Sequence, residues 1–395
     1  MPPYLAGRDE EKREFHRLLK QETILENLIL TGLRGVGKTV LLETFKPEAQ
    51  GARWLWAGAD LSESTSVSEE HMATRLLTDL AIAAANVVVA TDEKSAIGFG
   101  AKSKVIRHKI TYDLLRHIYD TTPGLISDKL KAVLEFSWAH IARHKLHGLI
   151  FAYDEAQNMS DHPVKDQFPL SLLLDVFQSI QRKDVRFMLI LTGLPTLFPK
   201  LVETRTFTER MFRVVVLGRL SKPASRDAIL RPIQDTSCPL TPSDLYVNDI
   251  VKASAGYPYF IQFICREVYD IGLHKLETGA APIVPMQDII RKLDVDFFAG
   301  RWARVTERQR DLLTVIAYLR DSDEEFTVQE IVDNSRRYLE RPFSASHVNQ
   351  MLVTLASAGI VYKNRHGRYS FAVPLFGQFI LRQQRAAVRA KEIRR

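Results

Sequence analysis

Two stretches of the chain hold residue types at spacings suited to phosphate chemistry. The first is Gly32-Leu33-Arg34-Gly35-Val36-Gly37-Lys38-Thr39. Glycines at these positions let backbone N–H groups converge on a phosphate. The Lys38 ammonium bridges neighbouring phosphoryl groups, and the Thr39 hydroxyl is offered to a divalent cation. The pattern needs a strand before it and a helix after it. Leu28-Ile29-Leu30-Thr31 reads as a short buried strand, and Val40-Leu41-Leu42-Glu43-Thr44-Phe45 continues as a helix whose N-terminus adds positive potential. Gly32 through Val40 are therefore the expected contacts to a nucleotide polyphosphate.

The second stretch is Asp154-Glu155, at the end of the apolar run Leu149-Ile150-Phe151-Ala152-Tyr153. Such a run reads as a parallel strand buried on both faces. An acid at its C-terminal tip can hold Mg2+ through water, and the next acid can polarise an attacking water. The bland alternative is that the two acids cap the next helix. With the phosphate loop upstream, Asp154 is expected to serve the metal and Glu155 to drive hydrolysis. ATP and Mg2+ are the cofactors this implies.

These residues need a scaffold. Residues 8–20 read as a charged helix with Phe15, Leu18 and Leu19 as its apolar stripe. Trp54-Leu55-Trp56-Ala57 reads as a strand and 69–86 as a helix. Residues 169–182 read as a helix, Phe187-Met188-Leu189-Ile190-Leu191 as a buried strand ending at Thr192-Gly193, and Val214-Val215-Val216-Leu217 as a further strand. Strands alternating with helices indicate an α/β domain with a parallel sheet. The span 87–147 is long for a connection between the two motifs and is expected to hold an insertion. Val87-Val88-Val89 suits a strand or a helix end, Gly98-Phe99-Gly100 breaks the span, and Lys102, Lys104, Arg107, His108 and Lys109 make it basic. Residues 126–144 read as a helix. Helical patterns at 224–234, 243–254, 258–274 and 285–298 then suit a lid.

From about residue 302 the pattern changes again. Thr306-Glu307-Arg308-Gln309 and Thr327-Val328-Gln329-Glu330 are capping boxes. Ser346 is placed as the cap of a third helix with the stripe Val348, Met351, Leu352 and Leu355, stopped by Gly359. Two short strands flank Asn364-Arg365-His366-Gly367, a hairpin. Three helices and a hairpin make a winged helix-turn-helix. The expected division is 1–220 nucleotide-binding, 221–299 helical lid and 300–395 winged helix with a basic tail.

Composition narrows the class. The 395 residues are 46% hydrophobic and 26% charged, which suits a water-soluble globular chain of two or three domains. Cys238 and Cys265 have neither metal spacing nor disulfide density and read as packing residues in a reducing compartment. Met1-Pro2-Pro3-Tyr4 leads into a charged helix, not a signal peptide, and no apolar run approaches membrane-spanning length. A cytoplasmic protein without a membrane partner is expected. The net charge of +7 and pI near 9.2 hint at a polyanionic partner.

The order Gly7-Arg8-Asp9-Glu10, phosphate loop, Asp154-Glu155-Ala156-Gln157, Thr192-Gly193-Leu194-Pro195 and Gly256-Tyr257-Pro258-Tyr259 resembles the AAA+ superfamily, in the branch joining origin-recognition initiators to STAND and archaeal-type ATPases. The resemblance covers roughly residues 4–300, and the winged helix extends it. It implies an ATPase whose Leu5–Arg8 segment lies near the adenine and whose Pro258 packs near the base. It puts Thr192 at the first sensor position, where the family often has Asn. It also implies a homo-oligomer whose assembly depends on nucleotide, with an arginine acting across a subunit interface; Arg205, Arg210 and Arg213 stand in that region, and Arg210 is chosen. No second-sensor arginine is visible, which points to a slow conformational switch more than a fast motor.

Two functions compete on these residues. One is a DNA-associated assembly ATPase that uses its wing and tail on phosphates. Lys363, Arg365, His366 and Arg368 surround the wing tip, Arg336, Arg337 and Arg341 precede the third helix, and Arg382, Arg385, Arg389, Lys391, Arg394 and Arg395 lie in the tail. The third helix offers only His347, Asn349, Gln350, Thr354 and Ser357 outward, with no Lys or Arg. The other is a STAND-like signalling or defence switch whose effector is a separate protein.

Overall fold

Three apolar strands buried on every residue set the architecture: β1 (Asn27–Gly32), β5 (Gly148–Asp154) and β6 (Phe187–Gly193). The computed structural model describes residues 4–94, 104–236, 238–280, 284–320, 322, 324–365 and 367–393. Gly98-Phe99-Gly100, Lys102, His366, Arg394 and Arg395, singled out above, lie outside them. The chain divides into two compact units, one of Arg8–Thr31 with Lys38–Val216, the other of Met1–Gly7, Gly32–Gly37 and Leu217–Arg395.

The first unit opens with α1 (Asp9–Leu19), which buries Phe15, Leu18 and Leu19 as expected. After β1 come α2 (Lys38–Gly51), β2 (Trp54–Asp60) and α3 (Glu69–Ala83), the last capped by Ser68. A hairpin of β3 (Val88–Lys94) and β4 (Lys104–Lys109) follows, then α4 (Tyr112–Thr121) and α5 (Ile126–Arg143). β5, α6 (Pro169–Gln181) and β6 lead to α7 (Leu197–Thr204), α8 (Thr208–Met211) and β7 (Phe212–Leu217). The sheet runs β2-β5-β6-β1-β7, with β2–β5, β5–β6 and β6–β1 parallel. In that order β6 is inserted between the strand that feeds the phosphate loop and the strand that ends in Asp154.

The span expected to hold an insertion has two parts. The β3–β4 hairpin is a separate two-stranded sheet. In contrast, Leu115 and Tyr119 of α4 and Leu130, Val133, Leu134 and Ile141 of α5 belong to the same core as Phe151, Phe177 and Phe187. Each large side chain so buried contributes roughly 1.5–3 kcal/mol.

The second unit begins its helices with α9 (Lys222–Asp235) and α10 (Asp244–Ser254), capped by Ser221 and Ser243. Then come α11 (Pro258–Glu277), whose first turn accepts Pro258 because no N–H is needed there, and α12 (Met286–Leu293). Burial pushes the Cys265 thiol of α11 up to about 12, as suits a packing residue. The helix read over 285–298 is present and runs on to Ala303, but its winding changes: α12 passes into a π-helical turn, Asp294–Ala299, and then α13 (Gly300–Ala303). The two adjacent phenylalanines of this turn share Phe260 as a neighbour. Phe297 packs on Tyr259 and Phe260, Phe298 on Phe376 and Phe379.

α14 (Glu307–Ala317), β8 (Phe326–Thr327), α15 (Val328–Tyr338), α16 (Ala345–Ser357), β9 (Val361–Arg365), β10 (Arg368–Phe371) and α17 (Phe376–Ile393) complete the unit. Three helices precede a β8-β10-β9 sheet, antiparallel at both pairings. Both capping boxes form. The cap of α16 is Ser344, not Ser346: Ser344 is extended and accepts the His347 N–H at 3.3 Å. The chain is anchored just before it by Phe343, which is buried and donates its N–H to Ser335 Oγ at 3.0 Å.

Candidate functional site

The loop joining β1 to α2 depends on two glycines for its shape. Gly35 and Gly37 have φ of 80° and 93°, the left-handed region that disfavours any side chain. Gly35 is also approached closely, since a Cβ there would stand 2.8 Å from Tyr259 Cβ. α2 starts at Lys38 directly after the loop, so the positive end of its dipole follows Gly37 in the chain. Within that turn Leu33, Lys38 and Val40 are half-buried, Val36 is buried and Arg34 is exposed.

At the tip of β5 the side chains converge. Asp154 is buried, and its carboxylate accepts the Thr39 hydroxyl at 2.5 Å, the Thr192 hydroxyl and the Glu155 backbone N–H at 2.8 Å. Register explains the Thr192 contact: Tyr153 pairs with Leu191, so Asp154 and Thr192 are the next residues on neighbouring parallel strands. Thr192 is fully buried and its hydroxyl is committed to Asp154. The oxygens of Thr39 and Asp154 are the hard donors Mg2+ takes, usually with phosphates and waters completing its shell. Among the described residues no cluster of three His, Cys, Asp or Glu side chains could hold a metal alone.

Glu155 is exposed and has φ of 52°, a conformation costly for a residue with a side chain. The bend turns its carboxylate off the strand. Gln157 donates its side-chain N–H to that carboxylate, while its Oε1 accepts the Leu194 N–H at 3.1 Å. Below it, Lys200 donates to the Gln157 carbonyl at 2.9 Å and to Ser160 Oγ at 2.7 Å. Burial lowers the Lys200 pKa, and the Asp161 charge opposes that. Gln157 links the acid to the strand carrying Thr192, a role its place in Asp154-Glu155-Ala156-Gln157 did not reveal.

The other residues named from sequence are more scattered. Pro258 is half-buried in the first turn of α11, and its neighbour Tyr259 donates its N–H to the Gly35 carbonyl at 3.1 Å. Sequence reasoning missed Tyr259. Arg8 is buried and paired with Glu11 at 3.1 Å. Arg205 is paired with Asp175 at 2.9 Å and Arg213 with Glu14 at 3.0 Å. Arg210 is exposed and its guanidinium has no partner among the described residues.

In the C-terminal region, His347, Asn349, Gln350, Thr354 and Ser357 of α16 are exposed, as are Arg336, Arg337, Arg341 and Lys363. Arg382, read above as part of the basic tail, is engaged in a salt bridge. Its guanidinium binds both oxygens of Asp294, one at 2.9 Å.

A parallel sheet in this strand order, a phosphate-type loop after its first strand and an acid at the tip of a nearby strand define the AAA+ P-loop fold, continued by a lid and C-terminal helices. Its architecture is similar to the Aeropyrum pernix ORC2 protein in its ADP form, at 14% identity and a TM-score of 0.52 over 97% of this chain and 96% of that one. The same ORC2 protein in ADPNP-ADP complexes aligns at 14% identity and 0.51 over 100% and 96%. The Aeropyrum pernix ORC1 protein in complex with DNA aligns at 15% identity and 0.47 over 98% and 95%. Residues 295–380 match a domain family described as a domain of unknown function (DUF8462). No curated protein matches the chain. No helix among the described residues is long and apolar enough to cross a membrane.

Proposed function

We propose that the chain binds ATP and hydrolyses it slowly, as a nucleotide-controlled, DNA-associated assembly ATPase. The observation that carries this is the convergence of Thr39 and Thr192 on Asp154, with Glu155 bent outward beside it. That arrangement supports a cation site and a water-activating carboxylate at the C-terminal tip of β5, with the phosphate loop following the C-terminal end of β1. The nucleotides named with the two ORC2 structures, ADP and ADPNP, agree with this reading.

The loop amides and Lys38 neutralise phosphate charge, and Thr39 and Asp154 supply oxygens for Mg2+. When bound, the cation withdraws charge from the phosphates. Glu155 orients and deprotonates water, held at its angle by Gln157. Arg210 is the candidate to act on a neighbouring subunit's nucleotide, being the exposed member of its trio and the one without a partner among the described residues. The division into a nucleotide domain (1–220), lid (221–299) and winged-helix domain (300–395) is part of the proposal. So are a nucleotide-dependent homo-oligomer and DNA contact through Arg336, Arg337, Arg341, Lys363 and the tail beyond Arg382.

A second reading, a STAND-like switch acting on a separate protein, draws support from Tyr259. A lid residue bonded to the loop couples nucleotide state to lid position without needing fast turnover. Calorimetric titration tests the common ground: Lys38→Ala should lose ATP binding while keeping its fold by circular dichroism. Wild-type affinity in that variant would refute the loop's role. Duplex DNA binding with ATP at low salt separates the readings, since none is expected of the protein-directed switch.

A further inference from the structure

Glu155 stands at a backbone position that its neighbours must hold. Its φ of 52° is costly for a residue with a side chain, and such a conformation persists only where surrounding contacts fix it. The segment that follows, Ala156–Asn158, is a single 3-10 helical turn with little backbone bonding of its own. The Asn158 N–H reaches the Glu155 carbonyl at 3.0 Å and the Met159 N–H the Ala156 carbonyl at 3.1 Å. Further support comes from outside. Asn158 donates its side-chain N–H to the Leu61 carbonyl at 2.9 Å, and the Ser160 N–H donates to Ser66 Oγ at 2.8 Å. Both bonds tie the turn to the segment after β2.

On its other side the turn meets the segment after β6. The Leu194 N–H donates to Gln157 Oε1 at 3.1 Å, and Lys200 of α7 donates to the Gln157 carbonyl at 2.9 Å and to Ser160 Oγ at 2.7 Å. Residues 194–200 therefore grip Gln157 twice, once through its side chain and once through its backbone. Its amide N–H is left to donate to Glu155. The amide lies tightly against the end of β6, since a Cβ on Gly193 would stand 2.7 Å from Gln157 Oε1. Lys200 brings a charged donor to this grip, and hydrogen bonds with an ionised partner are roughly twice as strong as neutral ones. Its ammonium is half-buried, and the Asp161 charge offsets part of that cost. Asp161 is itself fixed, accepting the Leu170 and Ser171 N–H groups of α6 at 2.9 and 3.0 Å.

We infer that Lys200 is a positioning residue for ATP hydrolysis: it acts through Gln157 to set the angle at which Glu155 meets water. This role rests on the hydrolytic reading of Glu155 and extends it to α7. In the reaction, water attacks the γ-phosphorus, its proton passes to Glu155 and ADP departs; Lys200 touches none of these atoms. The segment from Thr192 to Lys200 thereby gains a single task. Thr192 holds Asp154, Leu194 holds the Gln157 amide and Lys200 holds the Gln157 carbonyl. One connection after β6 sets both the acid of the cation site and the acid that faces water.

The test is steady-state ATP turnover beside equilibrium nucleotide titration, both with Mg2+. The samples are wild type, Lys200→Met, Lys200→Arg, Gln157→Ala and the double variant Lys200→Met with Gln157→Ala. Lys200→Met keeps the length of the side chain and removes its charge and donors. It should lower turnover about five- to tenfold and leave nucleotide affinity within about twofold. Lys200→Arg, which keeps the charge, should recover part of that loss. The double variant should turn over within about twofold of the slower single variant, because both changes act on one carboxylate. Losses that multiply in the double variant overturn the inference, since Lys200 then does not act through Gln157. Wild-type turnover in Lys200→Met overturns it as well, even with a lowered denaturation midpoint, which is what a packing role alone would give. Equal losses of turnover and affinity also overturn it. Should Lys200→Met not fold, Lys200→Gln decides by the same cycle. A wild-type chain that binds ATP without hydrolysing it overturns the reading of Glu155, and the role of Lys200 with it.

Discussion

The Thr39 hydroxyl donates to the Asp154 carboxylate at 2.5 Å, joining the first turn after the phosphate loop to the tip of β5, 115 residues further along the chain. Asp154 also receives Thr192 and the Glu155 N–H, so one buried carboxylate organises three groups. Replacing it with asparagine keeps the shape but removes the charge. Asp154→Asn should retain its fold and lose the Mg2+-dependent part of nucleotide affinity, roughly tenfold or more. Titrations with Mg2+ and with a chelator check this; equal affinities for the variant and wild type in Mg2+ would remove Asp154 from the cation site.

Gln157 bridges the Glu155 carboxylate and the Leu194 N–H. Without it, Glu155 loses its fixed angle while the loop is untouched. Gln157→Ala should lower the turnover number about five- to tenfold and leave nucleotide affinity within about twofold, because misplaced catalytic groups cost rate more than binding. Steady-state kinetics beside equilibrium titration separates the two quantities.

Gly35 meets Tyr259 with no room for a side chain. Gly35→Ala should destabilise the fold by about 1–2 kcal/mol through its left-handed φ and the crowded contact. Tyr259→Gly should return the contact's share and not the backbone share. A double-mutant cycle by chemical denaturation measures it, and strict additivity would mean the two residues do not meet.

The C-terminal arginines are not equivalent. Arg337→Ala with Lys363→Ala should reduce the salt slope of duplex DNA binding by about one per lost phosphate contact. Arg382→Ala should instead cost about 1–3 kcal/mol of stability, since it leaves Asp294 without its charged partner. Fluorescence anisotropy across a salt series and denaturation curves distinguish these outcomes.

Much of this was readable from local pattern. The loop between β1 and α2 and the apolar run ending in Asp154 are contiguous signals, and their strand and helix context is visible within a few residues. Both capping boxes were legible for the same reason. What escaped depends on tertiary choice of partner. Arg382 looks like any basic-tail residue until Asp294, 88 positions earlier, is brought beside it. Tyr259 and Gln157 sat inside recognised motifs, but only sheet order and lid placement assign them the Gly35 carbonyl and the Leu194 N–H. Ser344 and Ser346 are equally good caps in isolation, and the burial of Phe343 selects the first. The change from α- to π-helical winding after Leu293 had no local signal.

The central claim is that Glu155 hydrolyses an ATP held by the loop. Phosphate release by wild type and by Glu155→Gln, measured with nucleotide affinity on the same samples, tests it most directly. The account predicts unchanged ATP affinity and a turnover lower by about a hundredfold or more in the variant. Equal turnover in the two proteins would contradict it.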